Sequence, residues 1–140
     1  MDNYTKNINQ NYLHSEITAK ILQAFYIVVN NIGYGFGIEV FRNALIIELK
    51  ELELKCEQEK IVKLTYKENE IGEFKMDILV DEKINIMIIS EPNILRNHEV
   101  ILSNQLKNSK IEVALLLNAY IEGEHKRIFF SNDLKPKYKK

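Results

Sequence analysis

Six residues, Ile84-Asn-Ile-Met-Ile-Ile89, limit what this chain can fold into more than any other stretch of it. Five of the six are apolar, and most are β-branched, which favours a strand over a helix. Side chains alternate between the two faces of a strand, so a run that is apolar on both faces belongs at the centre of a sheet covered on both sides. Ile111-Glu-Val-Ala-Leu-Leu-Leu117 has the same character. Two such strands predict an α/β fold with helices on both faces of the sheet.

The flanking segments supply those helices. From Ser15, the residues Ile17, Ile21, Ala24, Phe25, Val28 and Val29 recur at helical spacing, predicting a first helix over about 15 to 31. Gly33-Tyr-Gly-Phe-Gly37 is a turn, because three glycines in five residues favour positive φ and cannot sustain a helix. A second helix follows, with Ile38, Phe41, Leu45, Leu49 and Leu52 on one face and its end near Leu54. The period then changes to two. Val62, Leu64 and Tyr66 alternate with polar residues from Lys60 onward, and a Glu68-Asn69 turn leads to Ile71. Phe74 to Val80 is a strand, and Asp81-Glu82-Lys83 turns into the strand at 84–89. Pro92 opens a helical stretch that ends near Asn108-Ser109, and Arg127 to Phe130 is a last short strand. The order ααβββαβ(β) describes a mixed central sheet flanked by helices.

Length and composition fit one ordinary globular domain. With 140 residues, 46% hydrophobic and 28% charged, the chain can bury one sizeable core. We expect a flexible N-terminus over 1–13, a single domain over 14–131 and a basic tail over 132–140. No apolar run approaches the ~18 residues of a spanning helix, and the first ten residues lack the apolar core of a secretory signal, so a cytoplasmic protein away from membranes is expected. Cys56 is the single cysteine, which excludes an internal disulfide and predicts a buried or half-buried core thiol. A net charge of −1 gives no electrostatic footprint for nucleic acid. Only Lys135, Lys137, Lys139 and Lys140 cluster, and a solvated terminal tail able to touch phosphates or an acidic partner is their expected role.

Several motifs occur in a recognisable order. Gly35-Phe-Gly-Ile-Glu39-Val-Phe41-Arg-Asn-Ala-Leu45, preceded by His14-Ser-Glu-Ile-Thr18 and Ala24-Phe-Tyr26, resembles the GxxExxY family of small proteins, with Phe41 in place of the tyrosine. Tyr66-Lys67, Ile71 to Phe74, Asp77 to Val80 and Leu115 to Asn118 look like that family's later strands. The likeness spans about 14 to 130. It is similar in turn to the PD-(D/E)XK nuclease superfamily, which implies an αβββαβ core, here with an extra N-terminal helix. It also implies a four-part metal site. The helix glutamate maps to Glu39 and the strand aspartate to Asp77; the next strand's glutamate and lysine fall on Met87 and Ile89, and a helix glutamine on Ile101.

The chemistry of such a site explains why the losses matter. Phosphodiester cleavage needs a hard cation on oxygen ligands and a basic group that positions water and offsets phosphate charge. A thioether is a poor ligand for Mg²⁺ and an isoleucine is none. Positions 87 and 89 share a face and are expected to point toward Asp77. No acid or lysine lies within 84–89, so Glu39 and Asp77 remain as relics that hold a metal weakly if at all. The leading expectation is a catalytically inactive module with no cofactor that binds a protein partner or itself. The rivals are a weak Mg²⁺-dependent nuclease using Glu39, Asp77 and a migrated acid, Glu82 or Glu91, and a non-hydrolytic nucleic-acid binder through the tail.

The remaining candidates have ordinary roles. Glu39 suits the first turn of a helix through its dipole, and Lys75, two residues before Asp77, is expected to pair with that aspartate. His14, His98 and His125 share no metal-binding spacing and are read as surface or capping residues. Tyr26, Tyr34, Tyr66 and Tyr120 are assigned to core packing.

Overall fold

The computed structural model describes residues 13–138. Two helices, α1 (Ser15–Ile32) and α2 (Ile38–Glu51), precede the strands β1 (Cys56–Tyr66), β2 (Asn69–Val80) and β3 (Ile84–Ile89). Helix α3 (Arg96–Lys107) crosses to β4 (Val113–Asn118), and β5 (Glu124–Phe129) leads into a 3-10 turn at Asn132–Leu134. The strands form one sheet in sequence order. β3 and β4 are parallel, from Ile84 against Val113 to Ile89 against Asn118, and every other pair is antiparallel. The parallel pair requires a crossover, which α3 provides.

The apolar strands sit where their patterning places them. Ile84, Ile86 and Ile88 join Ile78, Val80, Val113, Leu115 and Leu117 in a core covered by α1 and α2. The alternate residues Met87 and Ile89 pack with Ala114 and Leu116 under Leu102 and Leu106 of α3. The sheet therefore has helices on both faces, as the two-faced apolar runs require. Helix α1 buries Ile21, Ala24, Phe25 and Val28 and ends at Gly33, whose φ of 82° turns the chain and whose N–H still reaches Val29 O.

Element limits differ from the sequence reading in places that have physical causes. β1 begins at Cys56 rather than near Lys60, because Cys56, Glu57 and Gln58 pair with Val80, Leu79 and Ile78 although their own sequence shows no alternation. β2 is one strand of twelve residues rather than a short hairpin arm and a separate strand. α2 stops at Glu51, and α3 starts at Arg96 rather than at Pro92. The α3 start is fixed by His98, whose Nδ1 accepts the Leu95 N–H at 2.9 Å.

The expected basic tail is corrected most. Asn132 to Leu134 turn back along the domain, and Lys135 is 1% exposed. Its Nζ donates to Ser109 O at 3.0 Å and Ile111 O at 2.8 Å, and sits over the Phe130 and Tyr138 rings. Lys137 Nζ donates to Thr65 Oγ1 on β1. A buried lysine that donates to two loop carbonyls is a structural pin, and it ties the segment after β5 to the loop before β4. Lys139, Lys140 and the expected flexible N-terminus up to Tyr12 lie outside the described residues. Cys56 is half-buried, and burial pushes its thiol up. Among the described residues no helix is long and apolar enough to cross a membrane.

Candidate functional site

β2 and β3 pair over only three positions, Val80 to Ile78 against Ile84 to Ile86. The next β2 residue is Asp77, and there the ladder stops. Aspartate is a poor strand former because its carboxylate competes for backbone donors. Here the competition is visible: Asp77 Oδ2 accepts the N–H of Ile88 at 2.8 Å. On the other side of β2 the register passes from Gln58 against Ile78 to Lys60 against Met76, skipping Glu59, whose φ is 49°. Asp77 thus occupies a gap in the pairing on both sides, at the fork where β2 leaves β3.

The charges around it come from α2 and β1. Burial holds the Asp77 carboxyl above the ordinary carboxylate range, the Ile88 amide and then the Arg42 guanidinium oppose this, and Glu59 adds to it. Arg42 and Glu59 form an ion pair at 3.7 Å, and the buried Nε of Arg42 has no hydrogen-bond partner. Lys75 acts on Asp77 only as a weaker, longer-range charge, so the expected Lys75–Asp77 ion pair does not form.

The other expected site residues are spread out. Glu39 is the second residue of α2, exposed, and one turn before Arg42 on the same helix. Met87 and Ile89, expected to face Asp77, are partly buried side chains packed against the α3-side cluster, and what β3 offers to Asp77 is the backbone of Ile88. Ile101 is half exposed on α3 and outside the core. Of the acids considered as substitutes, Glu82 pairs with Lys55, and Glu91 is exposed beyond the end of β3. Among the described residues no three His, Cys, Asp or Glu side chains come together as a metal-holding group.

The histidines have structural partners. His98 caps α3, and His125 Nδ1 meets the Tyr26 hydroxyl at 2.8 Å. The His14 imidazole is lowered, chiefly by burial. Two tyrosines depart from the core role assigned to them: Tyr34 and Tyr66 are exposed, while Tyr26 and Tyr120 are half-buried.

Three contributors were not singled out by the sequence. Arg42 follows Glu39 by three residues, a helical-neighbour spacing that carried the signal. Glu59 has no local signal, because its position depends on the skipped pair with Asp77. Asn118, 1% exposed, receives the Glu91 N–H at 3.0 Å, donates to Glu91 O at 2.8 Å and to Glu124 Oε1 at 3.2 Å. It fastens the chain beyond β3 to the end of β4.

A family model described as the PD-(D/E)XK nuclease superfamily matches residues 15–128, from the start of α1 into β5. No curated protein and no solved structure matches the chain.

Proposed function

The chain belongs to the PD-(D/E)XK nuclease superfamily, and we propose that it has kept the scaffold as a non-catalytic binding module, a GxxExxY-like protein with a degenerate site. The observation that carries this reading is the state of Asp77. Its carboxylate accepts the Ile88 amide, the cation that acts on it most is the protein's own Arg42, and β3 contributes neither acid nor lysine beside it.

The superfamily implies a divalent metal, and the donor set here does not fit one. A hard cation needs several oxygen ligands converging on one point. Asp77 and Glu59 are the acids at the fork, and the Arg42 guanidinium already pairs with Glu59. Glu39 stays in solvent. Without a cation and a base, water is neither activated nor aimed at phosphorus. What the fork residues do is hold an α2–β1–β2 junction together.

The test is incubation of the purified protein with Mg²⁺ or Mn²⁺ and single- and double-stranded DNA and RNA. No cleavage is expected. Cleavage that disappears in Asp77→Ala would overturn the reading in favour of a nuclease using a migrated acid, for which Glu59 is the placed candidate.

A further inference from the structure

Lysine and arginine are common in this sequence, 19 of 140 residues, yet three stretches lack them entirely: 21–41, 84–95 and 111–125. The fold brings the ends of these three stretches together at the C-terminal edge of the parallel pair β3 and β4. The Tyr34 and Tyr120 rings meet edge to face at 4.5 Å. A small dent of about 10 Å³ lies between the glycine turn and the ends of both strands, lined by Ile32, Phe36, Phe41, Ser90 and Ala119. The turn after β4 closes against α1, with Gly123 packed on Val29, Tyr26 and Phe25.

This edge exposes large apolar side chains in numbers that a monomer ordinarily avoids. Phe36 is 64% exposed and Ile121 59%, and Tyr34, Ile38 and Val40 are also open to solvent. The turn does not require apolar residues at 34 and 36: it is made by Gly33, Gly35 and Gly37 at φ of 82°, 115° and 91°. Around them stand the carboxylates of Glu39, Glu91 and Glu122, all exposed and, among the described residues, without an ion-pair partner.

We propose that this edge is a docking surface for a partner protein's segment that carries apolar side chains between lysines or arginines. The inference rests on the binding-module reading above and gives it a surface and a partner chemistry. Exposed aromatic side chains are the residue types that anchor interfaces, and a rim of one charge steers and selects the opposite charge. The same rim repels phosphates, whose capture by a protein surface draws mainly on lysine and arginine. An acidic edge whose only neighbouring cation among the described residues, Arg42, is already paired with Glu59 therefore selects a cationic peptide and rejects nucleic acid.

The test uses the full chain and two fluorescein-labelled synthetic peptides, one of leucine, phenylalanine and lysine, the other with glutamate at each lysine, read by anisotropy. The lysine peptide binds, more weakly as salt rises, and the glutamate peptide does not. Phe36→Ser weakens binding roughly tenfold, and Glu91→Lys with Glu122→Lys does so comparably. Glu51→Lys, at the far end of α2 and roughly 18 Å from Glu39, leaves it unchanged. Circular dichroism confirms that the variants fold, which the exposure of all four residues favours. Equal binding by all variants overturns the proposal. So does competition by an oligonucleotide for the same face, or sedimentation showing that the chain associates with itself through Phe36. Cleavage of nucleic acid would instead sink the non-catalytic reading, while the peptide result would still stand or fall on its own.

Discussion

Asp77 and Ile88 are joined side chain to backbone, the aspartate carboxylate taking the amide hydrogen that a strand neighbour would otherwise accept. The two readings of Asp77, as a metal ligand and as a structural acceptor, therefore separate by mutation. Asp77→Asn keeps an oxygen for Ile88 and removes a charge that burial disfavours, so it leaves the fold equally or more stable at neutral pH. Asp77→Leu orphans the amide and destabilises by about 1–3 kcal/mol. Because the carboxyl is held above its unfolded value, the penalty exists when it is ionised; stability contributed here rises as pH falls through the folded pKa and levels off below the unfolded one. Urea melts from about pH 7 down to about pH 4 show that gain in the native protein and not in Asp77→Asn.

Rebuilding the missing motif as Met87→Glu with Ile89→Lys does not restore a site. Both side chains are partly buried against the cluster of Leu102, Leu106 and Leu116, so the change brings charges up against hydrocarbon. A loss of about 2–3 kcal/mol and no Mn²⁺ binding by calorimetry are expected. A folded double variant that binds metal would show that these positions open toward Asp77.

Lys135 makes the C-terminal segment pH-sensitive. Burial lowers its ammonium to about 8, opposed by Glu112. A lysine with a depressed pKa disfavours the fold while charged, so stability rises as pH climbs from about 8 toward its unfolded value of about 10.5. The neutral amine still has hydrogens for Ser109 O and Ile111 O. Lys135→Met loses that rise and, by stranding two carbonyls, costs about 1–3 kcal/mol; melting temperatures measured across that range decide it.

Gly123 and Gly35 both have positive φ, at 80° and 115°, but only one is crowded. A Cβ at Gly123 would lie 3.1 Å from Val29 Cγ2 and 3.3 Å from Tyr26 Cε1, whereas at Gly35 it meets nothing within 4 Å. Gly35→Ala is therefore expected to cost about 1 kcal/mol, from backbone strain alone. Gly123→Ala adds displacement of α1 side chains and costs about 2–3 kcal/mol. Equal losses in chemical denaturation would mean that the β4–β5 turn does not bear on α1.

What the sequence made legible follows from range. The strands Ile84–Ile89 and Val113–Asn118 were readable because their burial on both faces is written into each residue, and the glycine turn because positive φ has few other solutions. The start of β1 was not, since Glu57 and Gln58 become strand only by pairing with Leu79 and Ile78. Asp77 was recognisable as an anomaly in a strand, but its partner is a backbone amide eleven residues away, which no side-chain pattern marks. Lys135 is hard to read for a related reason: a lysine beside Pro136 and among other lysines looks solvated, and only the fold presents the two carbonyls that capture it.

The Tyr34–Tyr120 contact gives the docking edge an optical readout of its own. The chain has no tryptophan and seven tyrosines, so its near-ultraviolet emission is tyrosine emission undimmed by energy transfer to indole. Two of those seven rings touch each other on the edge, and the Tyr34 hydroxyl is held above its usual range, first by its hydrogen bond to Tyr120. A molecule seated there changes the polarity and hydrogen bonding of both rings together. Unlabelled protein can thus report its own occupancy in a cuvette.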